Sequence, residues 1–579
     1  MKPEIKYLNS NADDKIDAIV DKLKSKFNLN KITATLLANR GIKTVDQAEL
    51  FINPTLSNLK DPYSLKDMNK AVRRLWTAIK NREKILIFGD FDADGVTSTS
   101  LLVDFLNHID ADVSWYVPHR IKEGYGMHKQ HIDMAVKQNI DLIITVDCGS
   151  GSHEAVDCAN KEDIDVIITD HHEAPHPLPL CAAIINPKRE DCTSGLNHLA
   201  GVGVAFYLLM ALRQYMRGKN FWVQIKEPNL LDYCDLVALG TIGDMVPLKD
   251  ENRILCIYGL KVLQKGKRVG LKTLMDISRI PIDSMDSDDI GFRLVPRINA
   301  AGRLSHARIC VDHLTSKQRV SSVKTSAILD DLNQKRQKIE QEIIIDINNK
   351  IEKNKKLLDK KILIMWDKTW NASVLGIAAS RLVRKYSKPV ILISSVNDPF
   401  VGSCRSITSI NIYDSLSKHS SLLEKFGGHS MAAGVTIKKE NIEKFAQSME
   451  KYVESNFSFS DFQKSITIDL VIKLDEITYK LAKEIDILRP FGTDNREPLF
   501  LCENVKVVSS IIIGINHRKM ILASSDHNIN DNTENSGIEA IHFNVPDLKN
   551  LPLFYKKIVF KIKINKFKKN SPQIIIEDL

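Results

Sequence analysis

The sequence predicts an α/β protein built on a parallel sheet buried on both faces, and three stretches predict it. Ile85-Leu86-Ile87-Phe88, Leu142-Ile143-Ile144-Thr145-Val146 and Val166-Ile167-Ile168-Thr169 are continuous apolar runs of strand length, separated by helix-length segments. Continuous rather than alternating runs mark strands covered on both faces. Each run ends in a polar cluster: Asp90-Phe91-Asp92-Ala93-Asp94-Gly95, then Asp147-Cys148-Gly149, then Asp170-His171-His172. Ligands of such sheets bind beyond the carboxyl ends of the strands, so all three clusters should open onto one edge.

In chain order, residues 1–60 read as helical and mixed in charge, punctuated at Asn53-Pro54 and Asp61-Pro62, with no chemistry of their own. Met68–Ile79 is helical and basic and leads into the first strand. There, extended backbone puts side chains at i and i+2 on one face, so the carboxylates of Asp90, Asp92 and Asp94 can converge. One helix-capping Asp would suffice at a strand-to-helix turn. Three close negative charges instead call for a cation between them. Val113–Val117 is a further strand, followed by Pro118-His119-Arg120 and Glu123-Gly124-Tyr125-Gly126. Arg120 is either a bidentate phosphate fork or an ordinary surface arginine.

Gly201-Val202-Gly203 lacks a third glycine and a preceding strand, which excludes a dinucleotide fingerprint and reads as a tightly packed helix start. Leu236–Gly243 is a further apolar run, expected as a fourth strand ending in Asp244. Carboxylates combined with imidazole suit Mn²⁺ or Mg²⁺ better than a thiolate-seeking metal. Residues 316–358 hold no Gly or Pro and mix both charge signs, which predicts a polar, solvent-facing connecting helix. A second α/β unit starts at Lys361-Ile362-Leu363-Ile364 and ends near 455. It contains Gly402-Ser403-Cys404-Arg405 and Phe426-Gly427-Gly428-His429, where glycine lets backbone amides approach an anion. Residues 460–579 read as short strands with a polar loop at 524–537. Lys556–Lys569 alternates basic and apolar residues, as a half-buried strand with one cationic face would.

At 579 residues the chain exceeds a single core, so about three to four domains are expected. Apolar content of 43% and charged content of 26% are those of a globular protein, and a net charge of +9 permits a nucleic-acid partner without requiring one. Nine scattered cysteines without a Cys-x-x-Cys pair argue for reduced thiols rather than a disulfide framework or zinc knuckle. No secretory leader or membrane-spanning run is present, which predicts a soluble, cytoplasmic protein with no membrane partner.

The DFDADG, VDCG and Asp170-His171-His172 motifs, with Gly240-Thr241-Ile242-Gly243-Asp244, resemble the four motifs of the DHH phosphoesterase superfamily. Within it the chain is most similar to the RecJ family of single-strand-specific 5′ exonucleases. The resemblance implies a doubly wound DHH catalytic domain (61–315) preceded by a helical extension (1–60). A connecting helix (316–358) would join it to a smaller α/β DHHA1 substrate-binding domain (359–455), followed by an OB-fold-like β-barrel (460–579). It implies two divalent cations, Mn²⁺ or Mg²⁺, one on Asp92 and Asp147, the other on Asp94, Asp147, His171 and Asp244, with Asp90 auxiliary. His172 and Arg303 would contact the scissile phosphate. Arg120, Ser403 and Arg405, with His429, would bind the substrate's 5′ end. The implied activity is 5′→3′ hydrolysis of single-stranded DNA to 5′-mononucleotides in repair and recombination, alongside a single-strand-binding protein and a helicase. The alternative is a DHH-family phosphodiesterase of short oligonucleotides or cyclic dinucleotides. The chain departs from the family pattern at Phe88, where some relatives carry histidine, and at Asn371, Ser373, Asp494 and Arg496.

Overall fold

The computed structural model describes residues 4–8, 14–223, 225–525, 537–545, 547–548, 550–565 and 571–578. They form two compact units: residues 62–244 with 259–464, and residues 4–61 with 245–258 and 465–579.

The first unit opens on the expected parallel sheet. β1 (Ile85–Gly89) is followed by α1 (Ala93–His108), then β2 (Val113–Tyr116), β3 (Leu142–Val146), β4 (Asp165–Thr169) and β5 (Ala183–Ile185). Their spatial order is β2-β1-β3-β4-β5, every neighbour parallel. All of β1 and β3 is buried, which is why neither alternates in sequence. Phe88 belongs to this core, its ring 5.9 Å from Tyr116 and 4.9 Å from His131.

Next come α2 (Gly201–Gly218), α3 (Cys234–Gly243), α4 (Val269–Ile277), α5 (Val295–Leu304) and α6 (Arg319–Lys353). The run Leu236–Gly243, expected as a strand, is the helix α3, packed between α1 and α2. An apolar run of this length fits a strand and an all-round buried helix equally well, and tertiary packing decides between them. α6 also differs from expectation. It is a single 35-residue helix, but it does not face solvent all round. Ser322, Ser326, Leu329, Asn333, Arg336, Glu340, Ile343, Ile347 and Ile351 are buried, at steps of three and four that make one continuous stripe. Polar residues on half of that stripe hide it from a hydropathy reading.

A mixed sheet follows: β6 (Leu363–Asp367), α7 (Leu375–Tyr386), β7 (Val390–Ser394), β8 (Phe400–Arg405), β9 (Lys425–Gly428) and β10 (Ala432–Ile437), in the order β9-β10-β8-β7-β6. Its core on one side is shared with Ile343, Ile347 and Ile351 of α6.

The second unit is a closed barrel. β11 (Phe500–Ile513), β12 (His517–Ser524), β13 (Ile538–His542), β14 (Phe554–Ile564) and β15 (Pro572–Asp578) run in the order β11-β12-β13-β15-β14, and β14 pairs back onto β11. Helices at 14–27, 31–39 and 45–52 bury Leu23, Leu36 and Leu37 in the same core as Phe500 and Phe560. Arg253 joins it too, donating to the carbonyls of Leu488 and Ile487. The cationic face expected on Lys556–Lys569 is largely neutralised. Lys557 pairs with Glu503, Lys561 with Glu577, and Lys563 with Glu497. Those partners are remote in sequence, so a local reading of charge misses them. Lys566–Lys569, and residues 526–536 of the polar loop, lie outside the described residues.

Candidate active site

The carboxyl ends of β1, β3 and β4 and the C-terminus of α3 deliver one acidic cluster. Asp92 caps α1, accepting from the amides of Asp94 and Gly95. Asp94, buried in the first turn, accepts from Gly201 N at 2.7 Å and Val202 N at 2.9 Å, so the N-terminus of α2 is aimed at it. Asp147 follows β3 with φ +61°, a left-handed backbone that costs energy at a non-glycine residue and recurs at functional sites. Gly201 makes room for it: a Cβ there would sit 2.5 Å from Asp147 Oδ1. His171 Nε2 lies 3.1 Å from Asp147 Oδ1, 3.5 Å from Asp244 Oδ2 and 3.8 Å from Asp94 Oδ2. Asp90, Asp92 and Asp147 form a second group, in which one oxygen from each carboxylate lies within 4.8 Å of the other two.

Electrostatics mark these groups as unsatisfied. Burial, then the neighbouring carboxylates, pushes Asp94 up to about 7 and Asp244 up to about 8. The same causes raise Asp147 and Asp90 well above the ordinary carboxylate range. Burial and the neighbouring His172 lower His171 to about 3, so its ring is neutral. Among the described residues, Asp90 Oδ1, Asp147 Oδ1 and His171 Nε2 are buried without a hydrogen-bond partner. Lone pairs packed this closely are stable once a cation lies among them, and hard oxygen donors with one imidazole suit Mn²⁺ or Mg²⁺. The donor set therefore fits divalent metal.

His172 has a different environment. Its side chain is 38% exposed against 6% for His171. Its Nδ1 lies 2.8 Å from Asp170 Oδ1 and 3.0 Å from the Tyr125 hydroxyl. Burial works against its charge. The hydrogen bond and charge of Asp170 overcome that and raise it to about 9, so it is an imidazolium at neutral pH. Asp170 is itself held ionised by His172 and by the amides of Ser150, His171 and His172.

Beside the acidic cluster lies a basic one. Arg303, at the end of α5, is lowered to about 9 by burial and by Arg120, Arg405 and Arg336, and its Nη1 donates to Ser373 O at 2.7 Å. The Arg120 guanidinium lies 4.7 Å from the centroid of the Phe91 ring. Arg405 Nη1 donates to Ser403 Oγ at 3.1 Å. Gly376, in the first turn of α7, lies directly behind them: a Cβ there would be 2.7 Å from Arg405 Nη2 and 2.9 Å from Ser403 Oγ. Mutually repelling guanidiniums beside a helix N-terminus make a receptor for a phosphate. His429 is exposed on the turn between β9 and β10, and its amide donates to Ala432 O. Ala432 is in register with Arg405.

The sequence-predicted residues thus divide into one acidic and one basic group within the same unit, with His429 at the margin. Three residues lie outside the expected site set. Asn299 accepts from the Ala93 amide at 2.8 Å, Tyr125 touches His172, and Asp170 orients it. Asp170 carried the plainest sequence signal, its place at a strand end beside two histidines.

Family models match three parts of the chain: "DHH family, N-terminal domain" at 84–241, "DHHA1 domain" at 359–455 and "RecJ OB domain" at 468–578. The chain is 35% identical over 572 residues to the single-stranded-DNA-specific exonuclease RecJ of Bacillus subtilis, covering 98% of this chain and 69% of that protein. It is 33% identical to the protein of the same name from Escherichia coli, with 100% of both chains covered. Its fold is similar to crystal structures of RecJ from Thermus thermophilus. With the Mn²⁺ complex the TM-score is 0.81 at 25% identity, over 99% of this chain and 79% of that one. With the Mg²⁺ complex it is 0.74 at 25% identity, over 99% and 78%.

Proposed function

Because the chain belongs to the RecJ family of single-stranded-DNA-specific exonucleases, we propose that it degrades single-stranded DNA from the 5′ end, one mononucleotide at a time. It is a metal-dependent nuclease whose cofactor is a divalent cation, Mn²⁺ or Mg²⁺. The observation that carries the 5′ polarity is the pairing of the acidic cluster with a guanidinium cluster against α7, Arg120, Arg303 and Arg405, that forms no ion pair among the described residues. A terminal phosphate held there would present the first internucleotide linkage to the carboxylates.

In this reading Asp92, Asp147 and the auxiliary Asp90 hold one cation, and Asp94, Asp147, His171 and Asp244 the other. Bound cations supply Lewis-acid polarisation of water and of the phosphoryl oxygen. Arg120, Ser403, Arg405 and His429 bind the 5′-terminal phosphate. His172, kept protonated by Asp170, donates to a non-bridging oxygen of the scissile phosphate together with Arg303, where charge grows in the transition state. Water adds to phosphorus, the bond to the 3′-oxygen of the first nucleotide breaks, and that oxygen takes up a proton. The shortened strand keeps a 5′-phosphate and so refills the same pocket. Residues 61–315 carry the chemistry, 316–358 connect, and 359–455 receive the 5′ end. The barrel at 460–579, on which residues 1–60 pack, holds the trailing strand by base stacking.

No helix among the described residues is long and apolar enough to cross a membrane. The free cysteines of the chain are in keeping with a cytoplasmic place. A role in repair and recombination beside a single-strand-binding protein and a helicase rests on the family alone.

The deciding experiment offers a long single strand labelled at either end. Mononucleotides released from the 5′ end, faster from a 5′-phosphorylated than from a 5′-hydroxyl strand, are expected. Release from the 3′ end overturns the polarity, and activity confined to oligonucleotides a few nucleotides long restores the phosphodiesterase alternative. Gly376→Ala should push Arg405 off Ser403 and raise KM for the phosphorylated strand about tenfold, with kcat little changed. Calorimetry checks the cofactor independently: Mn²⁺ in large excess should raise the melting temperature by about 3 °C or more, and a chelator should reverse it.

A further inference from the structure

The buried stripe of α6 changes character along its length. Towards its N-terminus, Ser326 donates to Thr273 of α4, and Asp330 pairs with Arg297 of α5 at 2.7 Å. Towards its C-terminus, Ile343, Ile347 and Ile351 share a core with Leu375, Ala378 and Leu382 of α7. Between these halves lie Asn333, Arg336 and Glu340, exposed by 4%, 9% and 1%. Arg336 donates to Glu340 Oε2 at 2.8 Å and to Asn333 Oδ1 at 2.7 Å. The other oxygen, Glu340 Oε1, lies 2.6 Å from Arg381 Nε of α7, an ion pair whose alignment makes no hydrogen bond.

An apolar seam resists separation of two helices but is poor at fixing how far one slides along the other. A buried, doubly paired carboxylate costs desolvation and adds little net stability, yet a charge pair this close between two helices is lost once either slides, so it fixes their register. The register matters because α7 backs the phosphate pocket. Gly376 lies five residues before Arg381, about 7.5 Å along the helix. The carbonyl of Ser373, just ahead of α7, is in turn held by Arg303.

We propose that Arg336, Glu340 and Arg381 form a positioning lock that sets α7, and with it Ser403 and Arg405, at a fixed distance from the carboxylate cluster. That distance limits each cut to one nucleotide. None of the three touches the reacting atoms. The lock rests on the reading that Ser403 and Arg405 hold the 5′-phosphate.

Arg381→Gln is the chosen variant, since Arg381 is half exposed and Glu340 keeps Arg336, leaving no buried charge alone. KM for 5′-phosphorylated strands should rise about tenfold, with kcat and the KM for 5′-hydroxyl strands within about twofold of wild type. Dinucleotides should appear beside mononucleotides, and the Mn²⁺-induced thermal shift should stay as in wild type. Glu340→Gln should show the same split more strongly, and the double variant should be no worse than Glu340→Gln alone, as for residues acting as one unit. Two results overturn the lock while leaving the exonuclease reading intact. One is Arg381→Gln retaining mononucleotide-only products and the full preference for 5′-phosphate. The other is activity on both strand types falling together with the melting temperature. A wild-type protein indifferent to the 5′-phosphate overturns the pocket and the lock with it.

Discussion

Asp147→Asn should lower kcat by about a thousandfold or more while leaving single-strand binding within about twofold. Asp147 belongs both to the group with Asp90 and Asp92 and to the one with His171 and His172, and it lies 3.1 Å from His171 Nε2. The amide keeps the volume and the strained backbone but removes the charge that both cations would share. One oxygen is lost as an anionic ligand, and the new NH₂ group points a donor where a cation should lie. In the proposed function strand affinity would come from phosphate contacts and stacking elsewhere, so it should persist. A nuclease assay paired with a fluorescence-anisotropy titration separates the two effects, and the Mn²⁺-dependent rise in melting temperature should vanish. Cleavage at the wild-type rate would remove Asp147 from the centre of the mechanism.

Gly201→Ala should be nearly as damaging, although no charge changes. The added methyl would lie 2.5 Å from Oδ1, 2.7 Å from Cβ and 2.8 Å from Cγ of Asp147. Either Asp147 or the start of α2 must retreat. Retreat of α2 would break the bonds from the amides of Gly201 and Val202 to Asp94. Displacements near 1 Å in a catalytic constellation cost on the order of a hundredfold in rate. We expect a kcat loss of that size or more, with the Mn²⁺ concentration for half-maximal activity shifted upward. A crystal structure of the variant should show Asp147 moved. Gly203→Ala is the control on the same helix: its nearest neighbour is the flexible Leu199 side chain at 3.2 Å, and activity should stay close to wild type.

Much of the candidate site was legible because its residues stand in short, self-contained patterns. Asp90, Asp92 and Asp94 follow an apolar strand, and Asp147 and Asp170-His171-His172 repeat the arrangement, but the expected single face of extended backbone is not what the structure has: the strand ends at Gly89, Asp92 caps α1 and Asp94 stands in its first turn. The Asp244 segment was legible as chemistry but not as structure. Its carboxylate reaches His171 from the C-terminus of a helix, where burial and the helix dipole both disfavour its charge. Asn299 and Tyr125 stand in segments that share the resemblance, yet no role could be assigned to them, because each acts through hydrogen bonds to residues far away in sequence. The lysine-rich strand of the barrel read as a cationic face, since its neutralising glutamates lie on other strands or loops.

The sequence by itself determined the parallel sheet, the acidic strand ends and the family motifs, all properties of residues within a few positions of one another. Only the tertiary structure decided that Leu236–Gly243 is helical, that α6 buries a polar stripe, and that Gly201 lies against Asp147 while its amide bonds Asp94 from 107 positions away. The physical reason is the range of the forces involved. Backbone periodicity and capping are set by neighbouring residues. Burial, exclusion of water and the pairing of charges depend on which distant segments fold together.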